Sequence, residues 1–433
     1  MTEFVLIAFA LIAGLLMTRL FRKMGLNFPD VTVFLITGLL IGPYGLGRLG
    51  IDGLGFATME SVARVDFISK AALGFIAFSI GNEFKLSQLQ GTGRQATIIG
   101  ILQALAAMIV TDAVLVGVHF LAPDKLSLPA AITMGAIATA TAPAATLMVV
   151  RQYKAHGRLT SLLLPIVALD DAVGLVLFAV SFGIAQALVS SSVSLVAVLV
   201  NPMVEIAASL ILGSVMGAVL TKLEELFFSN TNRLSLSIAF VLLTIALATI
   251  EFEVGEVTVR FSSLLVCMML GTALCNLCPR SGDIMKRSET WTAPLNALFF
   301  IISGAELELG VFSDLFVVAI GVLYIAARSI GKYFGARESA KMSGCDKNTV
   351  RYLGFTLLPQ AGVALGMCNQ AVSLGSADGR LIKNIILFAV LVYELAGPSI
   401  TRWALTCSGD IQETPEVKKS HERFSTPKNH GAY

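Results

Sequence analysis

Charged residues are scarce in this sequence: Asp, Glu, Lys and Arg make up 14% of its 433 residues, while 55% are hydrophobic. A soluble globular protein carries about 25% charged residues. So few charges cannot cover the surface of a water-soluble protein of this length, which excludes a cytosolic enzyme. The net charge of +2 provides no basic field for binding nucleic acid. The composition predicts an all-α polytopic membrane protein.

Cysteine is also rare, with six residues dispersed mostly in apolar runs, and this excludes a disulfide scaffold. Cys275 and Cys278 form a C-x-x-C pair, but no second pair or nearby histidine follows. A structural zinc site needs four ligands. We therefore predict no cofactor, no covalent chemistry and no enzymatic activity.

Long apolar runs are abundant, and a helix needs about 20 such residues to cross the bilayer. We identify about 13 runs of this kind. The first is not a signal peptide, because its basic residues follow the apolar stretch. The predicted transmembrane helices begin near Phe4, Val31, Phe67, Ala96, Pro129, Thr160, Ser194, Leu234, Ser262, Thr292, Leu315, Thr349 and Leu381.

Lys and Arg are unequally distributed between alternate loops, with about 17 on one side and about 7 on the other. The richer set is expected to face the cytoplasm. The polar tail over 408–433 adds basic residues to that side, and its composition is typical of disorder. We predict a multi-pass protein of the inner (plasma) membrane, with its N-terminus outside and its C-terminus in the cytoplasm.

Seven ionisable residues fall inside the predicted helices, where each costs about 2.5–3.5 kcal/mol unless it finds a partner or water. Glu394 is expected to cap its helix or pair with Arg402, and Asp112 and Glu205 to lie at a helix contact or a cavity. The seven residues are Asp112, Asp170, Asp171, Glu205, Arg328, Lys332 and Glu394.

Asp170 and Asp171 are adjacent in the middle of the sixth run. Neighbouring side chains on a helix point about 100° apart, so one can face a cationic partner while the other faces a cavity. Two close carboxylates do not both ionise easily. Such a carboxylate holds either a proton or a small hard cation, and this competition is the basis of an exchanger. The alternative is a structural acid pair neutralised by Lys or Arg.

Arg328 and Lys332 are four residues apart in the eleventh run and share a helix face. Either could pair with Asp170. Lysine is the better switch, because its pKa falls on desolvation while arginine stays charged. We assign Lys332 the salt bridge that breaks when a cation arrives. The alternative is that both side chains snorkel to the membrane surface.

Proline interrupts two predicted helices: Pro143 lies in the fifth run, and Pro359 lies with Gly362 in the twelfth. Freed backbone carbonyls are tolerated in lipid only where they line a cavity. Interrupted helices at matching places in inverted halves indicate a transporter site, and runs four to six match runs eleven to thirteen. With the freed carbonyls, the Thr139 and Thr141 hydroxyls offer oxygen ligands for an alkali cation. The alternative is two kinked helices with no ligand role.

Six motifs along the chain form a recognisable set: Gly74–Phe84, Ala138–Pro143, Leu169–Asp171, Gly331–Gly335, Leu357–Gly362 and Glu394–Pro398. Together they resemble the monovalent cation–proton antiporter superfamily over about residues 1–405. The Asp-Asp pair and the Gly-Lys motif are most similar to its bacterial sodium/proton branch.

The resemblance implies roles for individual residues. Asp171 would bind the monovalent cation, Asp170 would pair with Lys332, and crossed unwound helices around Thr141 and Gln360 would complete the site. It also implies a homodimer, an elevator-type mechanism and electrogenic exchange.

Two features depart from the branch: Arg328 is present beside the lysine, and the second crossing contains Pro359-Gln360. They leave the choice of cation and the electrogenicity open.

The resemblance further implies a division into a dimerisation domain and a moving core domain. We expect residues 1–66 and 194–290, including a linker helix, to form the dimerisation domain. The core halves are expected over 67–190 and 292–405.

The function predicted is exchange of sodium or lithium for protons, with the lipid bilayer and a second copy as the only other partners. One alternative is a potassium/proton antiporter. A second, of another class, is a sodium-coupled symporter of an organic anion.

Overall fold

The computed structural model describes residues 2–26, 28–49, 55–85, 93–189, 195–254, 257–306, 314–371 and 374–411. The described chain is almost wholly helical. The helices are α1 (Thr2–Lys23), α2 (Asp30–Ile41), α3 (Met59–Ala63), α4 (Asp66–Gly81), α5 (Gly93–Leu121), α6 (Leu128–Ile137), α7 (Pro143–Gln152), α8 (Arg158–Val189), α9 (Leu195–Glu224), α10 (Asn230–Leu247), α11 (Ser263–Leu277), α12 (Ser281–Ala305), α13 (Leu315–Met342), α14 (Lys347–Thr356), α15 (Gly362–Ala371) and α16 (Ser376–Ser408), with short 3-10 turns at Leu46–Leu49 and Asn82–Phe84.

The predicted all-α fold is confirmed, with one small addition. A two-stranded antiparallel hairpin, β1 (Phe252–Val254) and β2 (Val257–Val259), follows α10. Each predicted run overlaps a helix of the structure or, for the fifth and twelfth runs, two short helices joined by a linker. Within the described residues, 8 helices are long and apolar enough to cross a membrane. The number thirteen therefore stays a prediction.

The helices pack as two bundles. The first bundle contains α1, α2, α4 and α9–α12, in which α11 lies against α4 and α9, and α12 lies against α2 and α4. Glycine permits the closest of these contacts. A Cβ atom on Gly81 would lie 2.0 Å from the Met268 carbonyl oxygen, and one on Gly271 would lie 2.1 Å from that of Phe78.

The second bundle contains α5–α8 and α13–α16, and its most extensive contact joins α13 to α5. Gly331 and Gly335 face α5 at one-turn spacing, because a Cβ on Gly331 would lie 2.7 Å from the Ala107 Cα and one on Gly335 would lie 2.6 Å from the Ala106 Cβ. The glycines of the Gly-Lys motif thus bring α13, and with it Lys332, close to the other helices of the bundle.

The packing of α4 and α12 bears on the predicted domain division, which stays a prediction. Helices α4 and α12 were expected in the core segments that begin at 67 and 292. They contact the helices of the first bundle instead, so the second bundle comprises residues 93–189 and 315–408. Hydropathy locates apolar runs but does not report which neighbouring helix each run contacts.

The end of the described chain folds back on the start of α8. Asp410 is buried, and its carboxylate accepts hydrogen bonds of 2.7 Å from both the backbone N–H and the hydroxyl of Thr160. Its backbone carbonyl accepts a third, of 3.0 Å, from the His156 N–H. Because the first N–H groups of a helix have no partner within it, Asp410 acts as a cap for α8, supplied from 250 residues away.

Candidate functional site

Two broken helices cross at the middle of the second bundle. Helix α6 ends at Ile137 and α7 begins at Pro143, while α14 ends at Thr356 and α15 begins at Gly362. The extended linkers between them touch, because the Ala142 N–H donates a 2.8 Å hydrogen bond to the Pro359 carbonyl. The predicted pair of crossed discontinuous helices is therefore present. Pro143 suits the first position of its helix, where no N–H is needed.

Asp170 of α8 lies beside this crossing and is fully buried. Its Oδ2 atom lies 2.7 Å from the Lys332 Nζ and accepts a 2.5 Å hydrogen bond from the Thr141 hydroxyl. Its Oδ1 atom accepts a hydrogen bond from the amide of Gln103 on α5. The charge of Asp170 is thus matched by one buried cation and two neutral donors, as a carboxylate in a low-dielectric interior requires.

Lys332 brings its ammonium among three oxygen atoms. Besides Asp170, it donates to the Thr139 carbonyl at 2.6 Å and to the Thr141 Oγ1 at 2.9 Å. The Thr139 carbonyl is available because α6 has ended before it. A carboxylate, a hydroxyl and a backbone carbonyl are also the ligands that hard metal cations prefer. The ammonium therefore occupies a position that would suit a small cation.

Arg328 lies one turn from Lys332 but contacts no carboxylate among the described residues. Its guanidinium donates to the carbonyls of Ala138 at 3.0 Å, Ala140 at 2.6 Å and Leu358 at 2.7 Å. It also lies over the Tyr393 ring, 4.5 Å from its centroid. Pairing with Asp170, one of the two options open from the sequence, is wrong for Arg328. The side chain joins the two unwound linkers. Arg328 and Lys332 are both fully buried, so neither side chain extends to the surface.

Gln360 has a similar bracing role. Its amide nitrogen donates to the Ile137 carbonyl at 2.9 Å and to the Tyr324 hydroxyl oxygen at 3.0 Å. Both Gln360 and Tyr324 are fully buried. We predicted Gln360 as an ion-binding residue, but its side chain satisfies the end of α6 rather than approaching Asp170.

The side chain of Asp171, our predicted cation ligand, lies outside the described residues, although the residue itself continues α8. Gly362 is the first residue of α15. No cluster of three His, Cys, Asp or Glu side chains that could hold a metal ion occurs in the described part of the chain. Cys275 and Cys278 are free thiols.

The three remaining membrane acids lie apart from Asp170. Asp112 packs against α6, where a Cβ on Gly135 would overlap its carboxylate. Glu394 lines a cavity described below. Arg402, the expected partner of Glu394, lies over the Tyr153 ring, 4.8 Å from its centroid.

Sequence reasoning missed Gln103 and Tyr324. Each is an uncharged polar residue in an apolar helix, so neither disturbs the charge pattern on which the site was predicted. A single amide inside the run Ile-Gly-Ile-Leu-Gln-Ala-Leu was the available signal for Gln103, because a buried amide needs partners for its hydrogen bonds.

Replacing Arg328 should weaken the crossing. Arg328→Leu removes the donors of three buried carbonyls, and each carbonyl left unpaired costs about 1–3 kcal/mol. We expect a lowered free energy of unfolding and a smaller loss in Arg328→Lys, which keeps the charge but not the fork of donors. Thermal unfolding in detergent measures both. Arg337→Lys, on the exposed end of the same helix, is the matched control, and equal losses at 328 and 337 would contradict the bracing role.

Comparison with known proteins places these observations in context. The family described as "Sodium/hydrogen exchanger, transmembrane" matches residues 7–407. The Na(+)/H(+) antiporter NhaS4 of Synechocystis is 22% identical over 135 residues, which cover 31% of this chain and 33% of that protein. The match thus spans about a third of that relative.

Two structures of the sodium proton antiporter MjNhaP1 from Methanocaldococcus jannaschii share the fold. The structure at pH 8 has a TM-score of 0.67 at 18% identity and covers 94% of this chain and 97% of the other. The electron-microscopy structure has a TM-score of 0.70 at 16% identity, with 94% and 98% covered.

Proposed function

The chain belongs to the sodium/hydrogen exchanger family, and we propose that it exchanges sodium for protons at the Asp170–Asp171 pair. The observation that carries this proposal is the Lys332 ammonium, held by Asp170, by the Thr139 carbonyl and by the Thr141 hydroxyl. A cation that binds there competes with a positive charge already present. Such competition couples the entry of one cation to the release of another.

The exchange cycle follows from that competition. Sodium, held by Asp171 and oxygens of the first linker, weakens the attraction between Asp170 and Lys332. A proton that binds Asp171 removes the negative charge that holds sodium, sodium leaves, and the ionised Asp170 pairs with Lys332 again. Because sodium and protons cannot occupy the pair together, the protein carries one or the other in each direction.

The second bundle is proposed to move as a unit past the first, in an elevator-type mechanism. Every residue of the site belongs to the second bundle, and Arg328 ties both linkers to α13. The site can therefore travel without changing its internal hydrogen bonds. The crossing is reached by a cavity between the bundles, which is where relative motion would open and close access.

Further proposals concern the setting of the protein. We propose an inner-membrane location with the N-terminus outside, which the excess of Lys and Arg in alternate loops supports.

The first bundle is proposed as the homodimer interface, because α1 leaves large apolar side chains uncovered, with Phe4 79% and Leu15 62% exposed. Electrogenic exchange is also proposed, because two carboxylates in one cation-binding region can take up more than one proton for each sodium ion released.

The two alternatives differ in substrate. Potassium exchange would use the same residues as sodium exchange, so only a transport measurement distinguishes the two. Symport of an organic anion is disfavoured, because the Lys332 ammonium, which would attract an anion, is fully buried and already paired with Asp170.

A liposome experiment tests the proposal. Purified protein is reconstituted with a proton gradient imposed and the membrane potential clamped to zero, and internal pH is followed on addition of sodium, lithium or potassium. Collapse of the gradient with sodium or lithium alone supports sodium exchange. Collapse with potassium as well supports the alternative cation. No response from folded protein contradicts exchange and favours the symporter.

Thr141→Ala should raise the apparent sodium constant in this assay. The change removes the hydroxyl that lies 2.5 Å from Asp170 and 2.9 Å from Lys332, and a lost hydrogen bond to a charged group costs about 1.5–3 kcal/mol, or roughly 10- to 100-fold. Thr133→Ala is the matched control, because the Thr133 hydroxyl donates to the Pro129 carbonyl of its own helix. An unchanged constant in Thr141→Ala would limit the first linker to a structural role.

A further inference from the structure

A cavity of about 470 Å³ lies between the two bundles and reaches the helix crossing. Asp66 and Glu306 line it from the first bundle. Ala142 and Ala361, the residues next to Thr141 and Gln360 in the linkers, line it from the second bundle together with Glu394. The cavity therefore ends one residue from the site, while Asp170 itself remains fully buried behind the linkers.

Glu394 is the unusual residue in this wall. Its side chain is more than nine-tenths buried, yet within the described part of the chain it has neither an ion-pair nor a hydrogen-bond partner. A buried carboxylate without a partner is costly. A side chain of this kind facing a cavity indicates a ligand that arrives through the cavity.

The other ionisable groups of the cavity make it acidic. Among the described residues they are Glu306, Asp66 and Lys70, and Lys70 pairs with Asp66 at 2.9 Å. The wall segments from α2, α7, α8, α11 and α15 supply no titratable side chain. Glu306 and Glu394 line the same cavity from the two bundles, so their carboxylates face a shared space across the boundary between the bundles.

We propose that Glu394 and Glu306 form a second binding station for the transported sodium ion or proton, occupied before the ion reaches the Asp170–Asp171 pair. This inference rests on the proposed exchange function. The two carboxylates belong to different bundles, so closing the cavity brings like charges together. A proton or a cation between them removes that repulsion, and the bundles therefore close on a loaded cavity more readily than on an empty one.

The test compares sodium-driven exchange in wild type, Glu394→Gln, Glu306→Gln and the double variant in liposomes. We expect Glu394→Gln to raise the apparent sodium constant about five- to tenfold and to flatten its dependence on pH. Glu306→Gln should act in the same direction. The double variant should match the stronger single variant, because residues that act as one unit are not additive.

Glu205→Gln is the matched control, since it neutralises another membrane-depth carboxylate that does not line the cavity. An unchanged sodium constant in Glu394→Gln, or an equal change in Glu205→Gln, overturns the station. Absence of exchange in wild type would instead overturn the proposed function. A second measurement detects sodium binding at this station without transport. Sodium should raise the Tm of the wild-type protein in detergent more than it raises the Tm of Glu394→Gln. Equal Tm shifts overturn the station.

Discussion

Asp171→Asn is expected to abolish sodium-dependent proton movement while the protein stays folded. The asparagine keeps the size of the side chain but can neither carry the negative charge that binds a cation nor exchange a proton at physiological pH. Thermal unfolding should change little. The measurement is the collapse of an imposed proton gradient in liposomes, and the expected rate is that of protein-free vesicles.

Asp112→Asn is the control for this variant. It neutralises another carboxylate of the helices, half-buried on α5, and leaves Asp170 and its partners in place. Retained exchange in Asp171→Asn would remove this residue from the site and make Asp170 the sole carboxylate on which sodium and protons compete.

Lys332→Gln should cause a large loss of stability. It leaves the fully buried Asp170 without its ion-pair partner, and breaking a buried pair from one side costs about 3–5 kcal/mol. The unfolding temperature in detergent should fall accordingly. We also expect the charge moved per cycle to change, measured as current on a supported membrane, because the ammonium no longer alternates with the transported cation.

Removing both partners provides the control for the ion pair. In Asp170→Asn/Lys332→Gln no buried charge is left alone, so much of the lost stability should return. If the double variant is as unstable as Lys332→Gln, the loss arises from the packing of the lysine stem. If charge movement is unaffected in Lys332→Gln, the ammonium is a fixed structural charge rather than a switch.

The sequence was sufficient to predict the parts of the fold that depend on apolar length and on proline. The two broken helices were located to within a few residues, because a proline in an apolar run has few structural solutions in a bilayer. The ion pair between Asp170 and Lys332 was also among the options, since charges at membrane depth must find each other.

The sequence was insufficient where the outcome depends on which of several neighbours a side chain meets. Arg328 and Lys332 share one helix face, yet one reaches a carboxylate and the other reaches three carbonyls. A shift of a few ångströms in the ends of the linkers would change which partner each side chain reaches. The hydrogen bond from Gln103 to Asp170 and the packing of α4 and α12 in the first bundle were missed for the same reason. Both depend on three-dimensional contacts that the sequence pattern does not contain.

The Asp410 cap has a consequence for the order in which the protein is made. Helix α8, which carries both aspartates, leaves the ribosome about 250 residues before its cap, an interval of roughly 10–50 s at the usual speed of synthesis. A premature stop shortly after Trp403 would therefore leave nearly every apolar run in the membrane but the aspartate helix uncapped. The cell would then insert a protein that is nearly complete yet not fully assembled, and its quality-control proteases would have a basis for recognising it.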